Sequence, residues 1–257
     1  MGRSVLGSDA SIEAITTDDL HAWLSAHYRP NRLLLVAAGK VDHELLIGLA
    51  SESFGDMEPG PVPARAPARF IGGFAYERRR SSQAHMVIGL PAPSWSDDDS
   101  YAAQIFADVA GAGTSSRLFQ ELREQQGLAY SVSAVSQSFS DCGLLWIYLA
   151  TQRSDAKWAQ GEVERVLGDI VETLSQAELD RARALAKAGM MMNLESCWGQ
   201  ASYVASRLLR EGRLVEPREI IERLDAVTLD EVQAVGARML AGPRALASVG
   251  GKLAKAA

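Results

Sequence analysis

The sequence is short of the residues from which metal and redox sites are made. Among 257 residues only four are histidine and two are cysteine. Cys142 and Cys197 match no CxxC pattern and give no disulfide framework, so they read as isolated thiols of a reducing compartment. A catalytic zinc site on a helix requires two imidazoles one turn apart and a carboxylate to act on the bound water. No two of His21, His27, His43 and His85 have three intervening residues, and neither HxxEH nor HExxH occurs. His21 and His27 sit six apart on one helix, roughly 240° around its axis from one another. The chain is therefore expected to bind no metal by itself.

Other absences narrow the field further. Positive charge is not in excess: the net charge is −6, and the 26 lysines and arginines alternate with acids, which argues against a nucleic-acid partner. No apolar run approaches the roughly 20 residues of a membrane span. The stretch from Met1 to Gly7 lacks the apolar core of a signal peptide, so a cytoplasmic location is expected, with an organelle matrix as the alternative. Gly111-Ala112-Gly113-Thr114-Ser115-Ser116-Arg117 opens a helix but has neither the Gly-Lys-Ser/Thr ending nor the GxGxxG spacing of a phosphate loop. No GxSxG elbow is present.

What the chain does have is an ordinary core-forming composition, 47% hydrophobic and 23% charged, and an internal repeat. Ile15-Thr16-Thr17-Asp18-Asp19-Leu20-His21-Ala22, a helix, and then Arg32 to Lys40 form the first copy. Val227-Thr228-Leu229-Asp230-Glu231-Val232-Gln233-Ala234, a helix, and then Arg244 to Lys252 form the second. One offset of 212 relates Thr16 to Thr228 and Lys40 to Lys252 without a gap. Thr16 and Thr228 suit an N-cap, with acids in the first turn where the helix dipole favours them. Leu20, Trp23, Leu24 and His27 share one helical face, as do Val232, Val235, Gly236 and Met239. The apolar runs that follow, within Arg32–Lys40 and within Arg244–Lys252, both read as buried strands.

The second copy follows about two hundred residues of other structure, whereas almost nothing precedes the first. Residues 1–58 are accordingly expected to be the carboxy-terminal tail of a truncated first domain. Residues 59–73, rich in proline, form the linker, and 74–257 form a complete second domain. Within the latter, strands are expected at Gly73–Arg80, Ala84–Leu90, Ala129–Ser138 and Gly143–Thr151. Helices are expected at Ser100–Ala110, Ser116–Gln126, Ser154–Leu174, Gln176–Leu194, Trp198–Glu211 and Pro217–Leu224. Early strands, a run of helices and a last strand indicate an α+β fold with helices on one face of the sheet.

Residue identity is sharpest between Gly111 and Val132, with Ser116-Arg117-Leu118, Leu122-Arg123-Glu124 and Gly127-Leu128-Ala129-Tyr130-Ser131. With Tyr28-Arg29-Pro30-Asn31, Val36 to His43 and Phe54-Gly55-Asp56, this stretch resembles the pitrilysin/insulinase/mitochondrial-processing-peptidase family of zinc metallopeptidases over nearly the whole chain. The resemblance implies a processing-peptidase-like domain with a mostly antiparallel sheet, the non-zinc half of a clam-like enzyme. Zinc would belong to the missing amino-terminal domain. Arg123 and Tyr130 would reach a bound peptide, by a carbonyl or carboxylate contact and by a hydroxyl near a developing oxyanion. On the residues alone, the favoured reading is that Arg123 pairs with a nearby acid and Tyr130 simply opens a strand; the resemblance turns this towards the peptide contacts. Arg117 is a third candidate peptide contact, or an anchor for its own loop. The implied partners are a peptide substrate and a zinc-bearing domain or subunit, with a homodimer as an alternative; nucleic acid and membrane are not expected. The implied role is a substrate-holding part of a metalloendopeptidase, inactive alone. The alternative is a non-catalytic partner or core-scaffold subunit.

Overall fold

A computed structural model describes residues 4–251. In chain order the helices are α1 (Asp9–Glu13), α2 (Thr17–His27), α3 (His43–Phe54), α4 (Ser100–Gly111), α5 (Ala156–Thr173), α6 (Gln176–Leu194), α7 (Cys197–Glu211), α8 (Pro217–Ala226) and α9 (Leu229–Ala241). The strands are β1 (Gly73–Glu77), β2 (Gln83–Ala92), β3 (Ala129–Ser138), β4 (Gly143–Gln152) and β5 (Ala245–Val249). A short π-helix, Phe119–Gln125, lies between α4 and β3.

These elements form two compact units. The smaller joins the described residues up to Ala68 to Asn193–Leu214; the larger joins Arg69–Met192 to the described residues from Val215 onward. The division does not coincide with 1–58, 59–73 and 74–257: residues 59–68 and α7 group with the front of the chain, and the larger unit begins at Arg69.

The larger unit is an α+β fold whose five strands run in the order β1-β5-β2-β4-β3. β2, β4 and β3 pair antiparallel, β5 pairs antiparallel with β2, and β1 pairs parallel with β5. α4, α5 and α9 pack together against one face of the sheet. Alternate residues supply that face: Met86, Ile88 and Leu90 from β2, Leu145, Ile147 and Leu149 from β4, all buried. Val163, Val166, Leu167 and Ile170 of α5 close over them as one apolar stripe. The expected elements of this unit are present, with ends displaced by a few residues, β1 being the shortest relative to expectation.

The two copies of the repeat begin alike and end differently. Thr16 caps α2 and Thr228 caps α9, each in a reciprocal capping box with Asp19 or Glu231. In α9 the face of Val232, Val235, Gly236 and Met239 is buried, and the Phe106 ring lies so close to Gly236 that no Cβ fits. In α2 the corresponding face is open, with Trp23 55% exposed. Ala245–Val249 is a strand between β1 and β2, but Leu33–Ala38 is not a strand, and Leu33, Leu34 and Leu35 are exposed. The expectation of a buried strand there is thus corrected. A strand needs neighbours for its N–H and C=O groups, and no described strand pairs with this segment.

Where α4 ends, the main chains of α4 and β3 nearly touch: a Cβ on Gly111 would lie 2.2 Å from the Ala134 nitrogen. Backbone cannot yield as a side-chain tip can. Gly111→Ala should therefore lower stability by about 1–3 kcal/mol, the usual cost of overpacking, whereas Gly168→Ala, with open space around it, should not. Thermal unfolding of the two variants checks this contrast.

Candidate functional site

The segment from Ser116 to Ser131 passes from the end of α4 through the π-helix into β3. Leu118 and Leu122 are fully buried and hold its inner side against the core. Polar clamps hold the rest. Arg117 Nε and Nη2 donate to the two oxygens of Glu178 at 2.6 and 2.8 Å, while Nη1 and Nη2 donate to Oγ1 and O of Thr173, both at 2.9 Å. Arg165 of α5 donates to Glu121 at 2.6 Å and to Glu162, which also accepts from Gln126 at 2.9 Å. Gln120 donates to the Thr114 carbonyl at 2.7 Å.

Arg117 is therefore tied inward. Four of its five N–H donors are engaged, leaving little with which to grip a peptide. This geometry is that of a loop anchor, one of the two readings of Arg117. The Arg117 guanidinium, and then Ser175, hold the Glu178 carboxyl down at about 2, against the opposing effect of burial.

Arg123 faces the other way. It is exposed, its guanidinium lies 4.8 Å above the Phe119 ring, and among the described residues no carboxylate lies within ion-pair distance. Tyr130 is 52% exposed. The register of β3 on β4 shifts between Ala129 and Ser131, so Tyr130 is the extra residue of a β-bulge. Two successive exposed residues, Tyr130 and Ser131, lie between buried Ala129 and Val132. A bulge re-aims the side chain it carries, and here it keeps the phenol out of the core. Two one-residue irregularities thus set the pair: a π-turn under Arg123 and a bulge at Tyr130. Between them Gly127 takes φ +60°, a conformation that costs glycine little.

Neither irregularity was expected from the pattern, which indicated a regular helix and a regular strand. The only trace in the sequence is the Gly127 turn between Leu122 and Ala129. His85, weighed from sequence only as a metal ligand, has its Nδ1 2.8 Å from the Tyr148 hydroxyl on the sheet face opposite the helices. That face also carries Val87 and Val135, both partly exposed.

The described residues do not fit a zinc ion. No group of three His, Cys, Asp or Glu side chains among them could hold a metal. The His27 ring lies against Trp23 with Nδ1 at 3.2 Å from Arg32, and His43 begins α3 beside its cap, Asp42.

Beside the Arg117 anchor is a crevice of about 10 Å³ between Asp108 and Ser116 on one side and Glu178, Arg181 and Leu185 on the other. It has room for about one water. Burial pushes the Asp108 carboxyl up to about 7. Its folded form holds a proton that the unfolded chain releases near 3.8, so Asp108 removes stability as pH rises through 4 to 7. Glu178 acts oppositely: its contribution is present above 4.5 and fades as pH falls towards 2. Asp108→Asn should gain on the order of 2 kcal/mol at pH 8 and little at pH 4. Glu178→Gln should lose about 2–3 kcal/mol at pH 7 and less at pH 2.5. Urea unfolding across pH checks both signs.

Comparison with known proteins agrees with this architecture. The family described as the Peptidase M16 inactive domain matches residues 14–185. A protein of Streptomyces coelicolor named as an uncharacterized zinc protease is 31% identical over 98% of this chain and 57% of its own length. One of Schizosaccharomyces pombe, named "probable mitochondrial-processing peptidase subunit beta", is 29% identical over 93% of this chain and 56% of its own length. The chain thus spans little more than half of the curated relatives it matches. Among solved structures, a chain of complex III2 from Candida albicans superposes with a TM-score of 0.86 at 22% identity, covering 96% of this chain and 62% of that one. The fold, the residues matched and these relatives together show that the chain belongs to the M16 peptidase family, in the part described as its inactive domain.

Proposed function

We propose that this chain is the substrate-holding part of a zinc metalloendopeptidase and cleaves no peptide without a zinc-bearing partner. The observation that carries the reading is the outward presentation of Arg123 and Tyr130 from one clamped segment, while Arg117 is turned inward. A guanidinium without a carboxylate partner can receive a peptide carbonyl or carboxylate, and a phenol can donate to an oxyanion. The names of the zinc-protease relatives supply the reaction class, and in this reading the metal is held by the partner.

The smaller unit supports the same reading. The open face of α2 and the unpaired Leu33–Ala38 form an apolar surface of the kind that another chain or domain covers. The zinc-bearing part is the occupant we favour, with a second copy of this chain as the rival. A second function, as a non-catalytic or core-scaffold subunit, draws on the likeness in fold to a chain of complex III2.

Purified alone, the chain should hold no stoichiometric zinc and leave an internally quenched peptide intact. Mixed with a zinc-bearing half, it should restore cleavage, and Arg123→Ala and Tyr130→Phe should each reduce that cleavage tenfold or more. Complex formation without any cleavage would favour the scaffold reading. In limited proteolysis of the chain alone, Leu33–Lys40 should be cut first and become protected in the complex. Protection in the isolated chain together with a doubled mass would assign the surface to self-pairing.

A further inference from the structure

We infer that Thr151 is a positioning residue whose hydroxyl locks Leu128 and thereby presents Arg123 and Tyr130 as one fixed pair. This rests on the reading of Arg123 and Tyr130 as peptide-holding residues and adds to it the part that aims them.

Thr151 lies in β4, fully buried, in register with Ala129 of β3 on one side and Ala84 of β2 on the other. A strand slot between two alanines suits any β-branched side chain, and valine would fill it without bringing an oxygen into the core. A hydroxyl is costly there unless it is bonded. It is bonded: Oγ1 donates to the Leu128 carbonyl at 2.6 Å. On its other side Leu128 donates its own N–H to the Leu122 carbonyl at 2.7 Å, and its side chain is buried. Leu128 is thus a post fixed at three points: N–H, C=O and side chain.

The position of that post is what matters. Arg123 lies five residues before it and Tyr130 two after. The bulge leaves Tyr130 without a register partner on β4, so the ladder does not set its direction. The preceding residues must do so, and the Thr151 hydroxyl holds one of them, Leu128, by its carbonyl. Upstream, the same post closes the π-turn through Leu122, which precedes Arg123 directly.

The test uses the full chain and a fluorescein-labelled casein peptide, read by anisotropy. Thr151→Val should weaken binding about tenfold, and Thr151→Ser, which keeps the hydroxyl, should stay within twofold of the native chain. In an Arg123→Ala/Tyr130→Phe background, Thr151→Val should cost no further binding while still lowering the melting temperature. A folded Thr151→Val chain that binds like the native one overturns the inference. So does a loss of equal size in the doubly substituted background, which would mark a general structural role. If Thr151→Val does not fold, Thr151→Ala takes its place in the same assay: a tenfold loss that Thr151→Ser does not share supports the lock, and native binding overturns it. Binding that is unmoved by Arg123→Ala and Tyr130→Phe, or absent in the native chain, removes the underlying reading and this inference with it; a melting temperature lowered by Thr151→Val and not by Thr151→Ser then reports separately on the hydroxyl bond.

Discussion

The larger unit depends on the seating of β5. β1 touches the sheet only through β5, and β5 also supplies one edge of β2. A segment from the far end of the unit's sequence therefore occupies an interior place in the sheet, and β1 has a ladder only because β5 is there. Leu246 on its core side is buried, while α9, which delivers β5, is buried along Val232, Val235 and Met239. The same helix-then-run unit at the front of the chain shows what happens without such neighbours. Its cap forms, its helix forms, and its apolar run stays unpaired. Local chemistry makes the helix; only tertiary pairing makes the strand.

The candidate site is a rigid segment with a sided distribution of charge. Carboxylates on its inner side are matched by Arg117 and Arg165, from the segment itself and from α5. Arg123 is left to the outside, over a phenyl ring. Such sidedness is what pre-organisation requires, because contacts that fix a segment must not be those that bind the ligand. The pairing of Arg117 with Glu178, both largely shielded from solvent, is the strongest of the inner contacts by geometry.

Much of this was legible in the residues. The caps at Thr16 and Thr228, the bounds of β3 and α6, and the apolar stripe of α5 follow from pattern because each is a local or periodic property. What was not legible is non-local or a matter of one residue. Leu33–Ala38 is a continuous apolar run of the kind a buried strand has, but no pattern within a segment records whether its neighbours exist. The grouping of α7 with the front of the chain leaves no local mark either, since α7 is a normally capped amphipathic helix between Ser196 and Gly212. The roles proposed for Arg123 and Tyr130 rest on family likeness, and their outward aim on the structure. Periodicity averages over turns and cannot register a single surplus residue in a helix or a strand.

Those surplus residues carry a consequence for how this stretch can change over generations. The π-turn has one residue more than an α-helix would use, and the bulge one more than β4 pairs with. Deleting one residue from the turn would swing its downstream neighbours by about 100° around the axis. Deleting one at the bulge would return the strand to strict alternation, so that the residue beside Ala129 answers to the ladder. Substitution is open to much of the surface of this segment, but insertion and deletion are not. The spacing of Arg123 and Tyr130 is thus guarded by chain length as much as by residue identity.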